Sequence, residues 1–138
     1  MRAEQRFEAL AGAEVGALEA LADDILTGGI AVSVTAGPES VSAPIRVPVP
    51  GCGDTTVVLG HVALTRCTVM LGGTRGDGMR NGYDLVGAVA AAVCDAEYER
   101  SGPLAGRVHE LCRAAEQARV RDGDERAALV AMTRLGKP

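Results

Sequence analysis

Apolar residues recur at helical spacing in the first part of the chain. Residues 2–11 and 13–27 each place apolar side chains three and four positions apart, on one face of a helix. Gly12 separates the two segments, and Gly28 and Gly29 provide a stop signal after the second. The pattern therefore predicts two N-terminal helices.

Beyond residue 29 the period of the pattern changes to that of a β-strand. Residues 29–37 and 43–51 are rich in Val and Ile and bounded by Gly and Pro, which predicts two strands. Pro48 has no amide donor, so the second strand is expected at a sheet edge. A third segment, 55–71, is too long for one regular strand unless Gly60 bends or bulges it.

Residues 72–82 contain five glycines and no apolar periodicity, which predicts a loop or a weak polar edge strand. The segment fits neither a Walker A loop nor a dinucleotide fingerprint. Residues 84–100 follow as a helix that is apolar all round and hence buried all round. One sheet covers one face of such a helix, so the second face is expected to meet a partner subunit or, alternatively, a neighbouring helix.

Two further helices are predicted near the end of the chain. Residues 103–121 form an amphipathic pattern, the Arg-Asp-Gly-Asp stretch at 121–124 interrupts it, and residues 125–135 follow with Asp124 as a candidate N-cap. The predicted fold class is α+β. We expect a single domain over 1–138, with a mainly antiparallel sheet of three to four strands flanked by the N-terminal helices and three C-terminal helices.

Composition and charge exclude several classes of protein. The chain is 47% hydrophobic and 2% aromatic, so its core is expected to consist of aliphatic and alanine side chains. The net charge is −4 and the basic residues are scattered, so nucleic acid is not an expected partner. Without an apolar run of membrane-spanning length or a leader pattern, the expected location is the cytoplasm, with no membrane partner and four reduced cysteines.

One arginine on the third predicted strand requires a partner. Arg66 shares a strand face with aliphatic side chains, and a buried unpaired guanidinium costs several kcal/mol. Asp84 and Asp95 are the expected partners within the chain, because both lie near or on the helix predicted to cross the sheet. The alternatives are an edge position from which the side chain reaches water, and a contact with a partner subunit or an anionic substrate.

No pattern of reactive residues indicates an active site. His61 and His109 are the only histidines, and no nucleophile motif accompanies them. His109 and Cys112 have a possible metal-ligand spacing, but the chain has no CxxC pair. We therefore expect no catalytic, cofactor-binding or metal-binding residues in this chain.

Three stretches resemble a known family, the PhnG subunit of the bacterial carbon-phosphorus lyase core complex. The first is Leu-Gly-His-Val-Ala-Leu-Thr-Arg-Cys at 59–67, which is similar to the family's Leu-Gly-Glu-Val strand ending in Thr-Arg-Cys or Thr-Arg-Ala. The second is 73–84, whose glycines and closing Asp84 keep the family's register, and the apolar helix follows at the family's spacing. The third is the end of the chain, where Arg126, Met132 and Arg134 are similar to the family's closing segment.

The chain also departs from the family pattern. His61 stands in place of a usual Glu and Tyr83 in place of an Arg. Arg75, Asp77 and Arg80 occupy positions at which the family strand is mostly apolar or aromatic. The resemblance therefore indicates a divergent member.

The resemblance implies a non-catalytic structural subunit. The complex of this family uses ATP to convert alkylphosphonates to ribose 1-phosphonate 5-triphosphate, with the nucleosidase chemistry on the I-type subunit and the later radical cleavage on an iron-sulfur subunit. This chain would bind no cofactor, while ATP and the iron-sulfur cluster would lie on partner subunits, the I-type subunit being the main partner. The candidate interface or structural residues are Gly60, Arg66, Gly82, Asp84, Met132 and Arg134.

Two other classes of function remain open from the residues alone. One is a small stand-alone enzyme that uses Cys67 or His61, and the other is a homo-oligomeric binding module without a role in phosphonate metabolism.

Overall fold

The computed structural model describes residues 1–51 and 53–135, and the side chains of these except at 126 and 130–135. Four helices and three strands follow one another along the chain. They are α1 Ala3–Ala11, α2 Val15–Thr27, β1 Val32–Pro48, β2 Thr56–Leu71, β3 Thr74–Asn81, α3 Leu85–Glu99 and α4 Ala105–Leu135. The predicted α+β class and three-stranded antiparallel sheet are confirmed.

The sheet has the order β1-β2-β3, and the two ends of β2 have different neighbours. Within residues 64–71, β2 lies between β1 and β3 and pairs with both except at Cys67, which pairs with β3 alone, whereas within residues 56–63 β2 pairs with β1 alone and Leu59 is unpaired. In the three-stranded half, alternate residues of β2 face the helices and are buried. These residues are Thr65, Cys67, Val69 and Leu71.

Helix α3 packs directly on the backbone of β3. Gly76 and Gly78 face α3, and a Cβ atom at either position would overlap backbone atoms of Ala92. The strand and the helix thus approach more closely than side chains larger than hydrogen permit. The glycine-rich segment is therefore an edge strand, one of its two predicted forms, and its glycines serve helix packing.

The second apolar face of α3 is covered by the chain's own helices. Its side chains from Ala90 to Glu97 are buried, and α3 contacts α1, α2 and α4 as well as the sheet. The prediction that this helix presents excess apolar surface to a partner subunit is therefore wrong. The neighbouring helices cover the face, because four helices on one side of a small sheet surround the innermost of them.

Two predicted boundaries differ from the structure. The two strands expected before residue 52 are one strand, β1, whose ladder with β2 is irregular between Val34 and Glu39. Pro48 does lie on an edge strand, and the ladder shifts register at Gly60, as expected.

The two last predicted helices are one continuous helix, α4, so the C-terminal helices number two and not three. Gly123 costs a helix about 1 kcal/mol relative to alanine, and the flanking Ala, Glu and Arg residues favour the helix enough to carry it through. Asp124 accordingly lies inside α4 and caps nothing.

Candidate functional site

Arg66 lies on the open face of the sheet and not in the core. Its side chain is 63% exposed, and its Nε donates to Glu39 Oε1 on β1 at 3.1 Å. The prediction that Arg66 pairs with Asp84 or Asp95 is wrong. The residues on either side of Arg66 lie on the buried face of β2, so Arg66 itself lies on the opposite face. The expected edge position is not observed either, because Arg66 lies on the central strand β2, but the pair is within the chain and the side chain reaches water from the open face of the sheet.

Asp95 pairs instead with a buried arginine of α1. Arg6 Nε donates to Asp95 Oδ1 at 2.5 Å, and Arg6 lies over the ring of Tyr98 with its Cζ 4.7 Å from the ring centroid. Burial alone would lower the pKa of Arg6, but hydrogen bonds and charge from Asp95 and Glu99 outweigh it and the pKa is raised. The pair holds α1 against α3 and is almost fully shielded from water, so its role is structural.

A second buried arginine, Arg80 of β3, closes the end of α1. Its Nη1 donates to the carbonyl oxygens of Leu10, Ala11 and Ala13 at 2.9, 3.1 and 2.8 Å. Its Nε donates to Asp84 at 3.2 Å. Arg80 therefore satisfies carbonyls that the helix terminus leaves without partners. The arginine at this position therefore has a structural role, which is to hold the end of α1 against β3.

The predicted residues Gly82 and Asp84 form the turn between β3 and α3. Gly82 has a φ of +76° and donates its N–H to the Ala63 carbonyl at 2.8 Å. Asp84 caps α3 by accepting from the Gly87 N–H at 2.9 Å, and the buried Thr65 hydroxyl donates to the Gly82 carbonyl at 2.7 Å. Both candidates thus have structural roles. The side chains of Met132 and Arg134 lie outside the described residues.

The described thiols are held in the neutral form. Burial raises the pKa of Cys94 to about 12 and that of Cys112 to about 11, and burial together with Asp77 raises the pKa of Cys67. A protonated thiol is a weak nucleophile and a poor metal ligand. Within residues 1–51 and 53–135, no group of three or more His, Cys, Asp or Glu side chains is placed to hold a metal ion.

A cavity of about 550 Å³ opens beside the sheet near α1. Its charged lining consists of Arg66, Glu39, Arg75 and Asp77. Arg66 is paired with Glu39, and Arg75 Nε lies 3.2 Å from Asp77 Oδ2, so the lining forms two neutral pairs. An entering anion would have to break one of these pairs.

A group of exposed apolar side chains lies on the β1-β2 hairpin beyond the end of β3. We call residues 40–51 and 53–63 the hairpin arm. Val57 and Val58 are neighbours that point to opposite sides of the ribbon, and each is nearly half exposed, while Leu59 is 72% exposed. Ile45 and Val62 extend the same surface. The arm therefore exposes apolar side chains on both of its faces.

The sequence pattern contained a signal for this arm. Residues 41–48 and 56–63 together place apolar residues on both faces of a strand pair. The strand pattern predicts no further segment of matching length elsewhere in the sequence to cover them. Two of the predicted residues, Gly60 and Arg66, lie on or next to the arm, whereas Gly82 and Asp84 lie in the half-buried turn between β3 and α3, where Gly82 contacts the end of the arm at Ala63. The surplus apolar surface was expected on helix 84–100 and is found on the hairpin.

No helix in the described part of the chain is long and apolar enough to cross a membrane. No curated protein matches the chain. The family model "Phosphonate metabolism protein PhnG" matches residues 1–136. The match covers nearly the whole chain, and the protein therefore belongs to the PhnG family of phosphonate metabolism.

Proposed function

We propose that this chain is a non-catalytic structural subunit of the carbon-phosphorus lyase core complex. With ATP, that complex converts alkylphosphonates to ribose 1-phosphonate 5-triphosphate. The chain would be part of an enzyme only within the complex, while ATP and an iron-sulfur cluster would be bound by partner subunits. Family membership supports the role in phosphonate metabolism.

The hairpin arm is the observation that carries the subunit role. An isolated two-stranded ribbon is marginally stable in water, and this one exposes large apolar side chains on both faces. Burying apolar surface contributes roughly 25 cal/mol per Å². A partner that covers the arm therefore gains binding free energy and stabilises the ribbon. The I-type nucleosidase subunit is the proposed partner.

The test is assembly of the complex with a variant arm. Leu59→Lys places a charge at the most exposed apolar residue of the arm, and Val86→Lys makes the equivalent change at an exposed valine of α3. Each variant is co-expressed with the other core subunits, and co-purification and ATP-dependent consumption of an alkylphosphonate are measured. We expect Leu59→Lys to lose assembly and activity together, and Val86→Lys to retain both.

Two results would contradict the proposal. The first is normal assembly and activity of Leu59→Lys. The second is turnover of an alkylphosphonate by the isolated chain, which would make it an enzyme by itself. Sizing chromatography of the isolated chain also distinguishes a homo-oligomeric binding module, which would form a defined oligomer unaffected by the other subunits.

A further inference from the structure

We infer that the free edge of β2 in the hairpin arm accepts an extended strand of the partner subunit, which joins the arm as its third strand. The inference rests on the proposed function, because it specifies how the chain is held in the complex. Three observations carry it: the direction of the backbone groups on β2, the prolines on β1, and the absence of charge along the open edge.

The backbone groups of Thr56 and Val58 point away from β1. The Val49 N–H donates to the Thr55 carbonyl at 2.9 Å, which fixes the alternation of the antiparallel ladder. Val47 and Val57 then exchange hydrogen bonds, whereas the Arg46–Val58 pair, one step along the register, directs its N–H and C=O groups outward. These outward groups of β2 point to the same side as β3, which pairs with later residues of β2.

The other end of the arm gives the same result independently. The Gly82 N–H donates to the Ala63 carbonyl at 2.8 Å, so Ala63 faces the β3 side. His61 faces this side too, two residues earlier. The ladder with β3 ends at the Leu64–Asn81 pair, and in the described part of the chain no other strand continues it. Thr56, Val58 and His61 therefore present backbone donors and acceptors at an uncovered edge.

The opposite edge of the ribbon is closed by prolines. Pro48 pairs with Thr56 and Pro44 with His61, and both prolines occupy positions whose nitrogen points outward from β1. Neither can donate a hydrogen bond, so a strand on that side would lose two of its alternate bonds. Prolines on one edge are a common protection against unwanted strand pairing. Here they direct an incoming strand to β2.

The open edge also defines the chemistry of its occupant. His61 is the only ionisable side chain among residues 56–63, and the other side chains are aliphatic, glycine or threonine. A charged residue facing Val58 or Val62 would lose its hydration without gaining a partner. The occupant is therefore an uncharged strand rich in β-branched residues. A helix is excluded because it cannot bond to the free backbone groups.

A proline scan across one cross-strand pair tests the inference. Val58→Pro removes an outward donor from the open edge, and Arg46→Pro removes one from the closed edge at the paired position, each without removing a bond between β1 and β2. Binding to the purified I-type subunit is measured, with Val58→Ala and Arg46→Ala as side-chain controls. Relative to its alanine control, we expect Val58→Pro to weaken binding about tenfold or more and Arg46→Pro less than about twofold.

Amide hydrogen exchange on the unaltered chain keeps the inference testable if a proline variant fails to fold. In the complex we expect slower exchange at Val58 and His61 and unchanged exchange at Ser42 and Arg46. A complex that forms without this protection, or with equal effects of the two prolines, would overturn the strand pairing but leave the subunit role. Failure of the unaltered chain to bind would overturn both. Protection already present in a self-associated chain would make the occupant a second copy and also overturn the inference.

Discussion

Arg6 and Asp95 form a buried ion pair whose acidic member binds two elements at once. Asp95 Oδ1 accepts from Arg6 Nε at 2.5 Å, and its Oδ2 accepts from the backbone N–H of Asp77 at 2.9 Å. One carboxylate on α3 thereby ties helix α1 to strand β3. Both charged side chains are almost fully shielded from water, 3% and 11% exposed, so neither can be rehydrated when its partner is lost.

Asp95→Asn should destabilise the fold strongly. The substitution removes the buried one of the two carboxylates that pair with Arg6 and leaves only the half-exposed Glu99, so the cost should approach the roughly 3–5 kcal/mol of breaking a buried pair. Asp24→Asn is the matched control, because Asp24 pairs with Arg107 at 2.7 Å where both side chains are half exposed, and it should cost less than about 1 kcal/mol. Urea unfolding of both variants measures the difference. Equal costs would show that the Arg6–Asp95 pair contributes no more than a surface pair.

The same substitution at two arginines should give opposite results. Arg66→Met breaks an exposed pair and should change the free energy of unfolding by less than about 1 kcal/mol. Arg80→Met removes the side-chain donor to three carbonyls at and just beyond the end of α1 and to the Asp84 Oδ2 atom, and should cost about 3 kcal/mol or more. Thermal unfolding distinguishes them. A larger loss of stability in Arg66→Met than in Arg80→Met would mean that the Arg66 guanidinium has an essential partner inside the fold.

Gly78→Ala should destabilise the contact between β3 and α3. The added methyl group would overlap the backbone of α3 around Ala92, and overpacking of this kind costs about 1–3 kcal/mol. At Gly60 an added Cβ atom meets nothing within 4 Å, so Gly60→Ala serves as the control and should change stability by about 0.5 kcal/mol or less. Midpoints of urea unfolding compare the two. A tolerated Gly78→Ala would mean that α3 can move away from the strand at little cost.

Stability should fall with rising pH above about 9. Burial raises the folded-state pKa values of Cys94 and Cys112 to about 12 and 11, above the ordinary thiol value of 9.0. Their contribution is therefore complete below pH 9 and is lost as the pH rises toward 11, by at most about 1.4 kcal/mol per pH unit for each thiol. Urea unfolding across this range should show a shallower slope in a Cys94→Ala/Cys112→Ala variant, and an equal slope would contradict the assignment.

The order and type of the elements were predictable because they depend on local patterns. The amphipathic repeats of α1 and α2 and the Val-rich runs of β1 and β2 determine their own conformation. The bulge at Gly60 was predictable from strand length alone. The continuity of α4 was not, because the cost of Gly123 is smaller than the summed preference of its neighbours.

The partners of the charged side chains were less predictable, because they depend on which face of each strand is buried. The alternation of β2 offers two faces with aliphatic residues on each, and the face with the residues at 62, 64 and 70 is the open one. The buried face carries Val69 and Leu71 together with the smaller Thr65 and Cys67, and the glycines of β3 and the alanines of α3 pack closely on this side of the sheet. Small residues on facing elements were the available signal for the core.

The ion pair between α1 and α3 has a consequence for how the chain is made. Arg6 and Asp95 are 89 positions apart in the sequence. At ribosomal rates of about 5–20 residues per second, α1 is synthesised roughly 4–18 s before the carboxylate that it binds. During this interval Arg6 remains hydrated and α1, at nine residues, is too short to persist as a helix by itself. Helix α1 therefore reaches its final position only after α3 has been synthesised, although it precedes α3 in the chain.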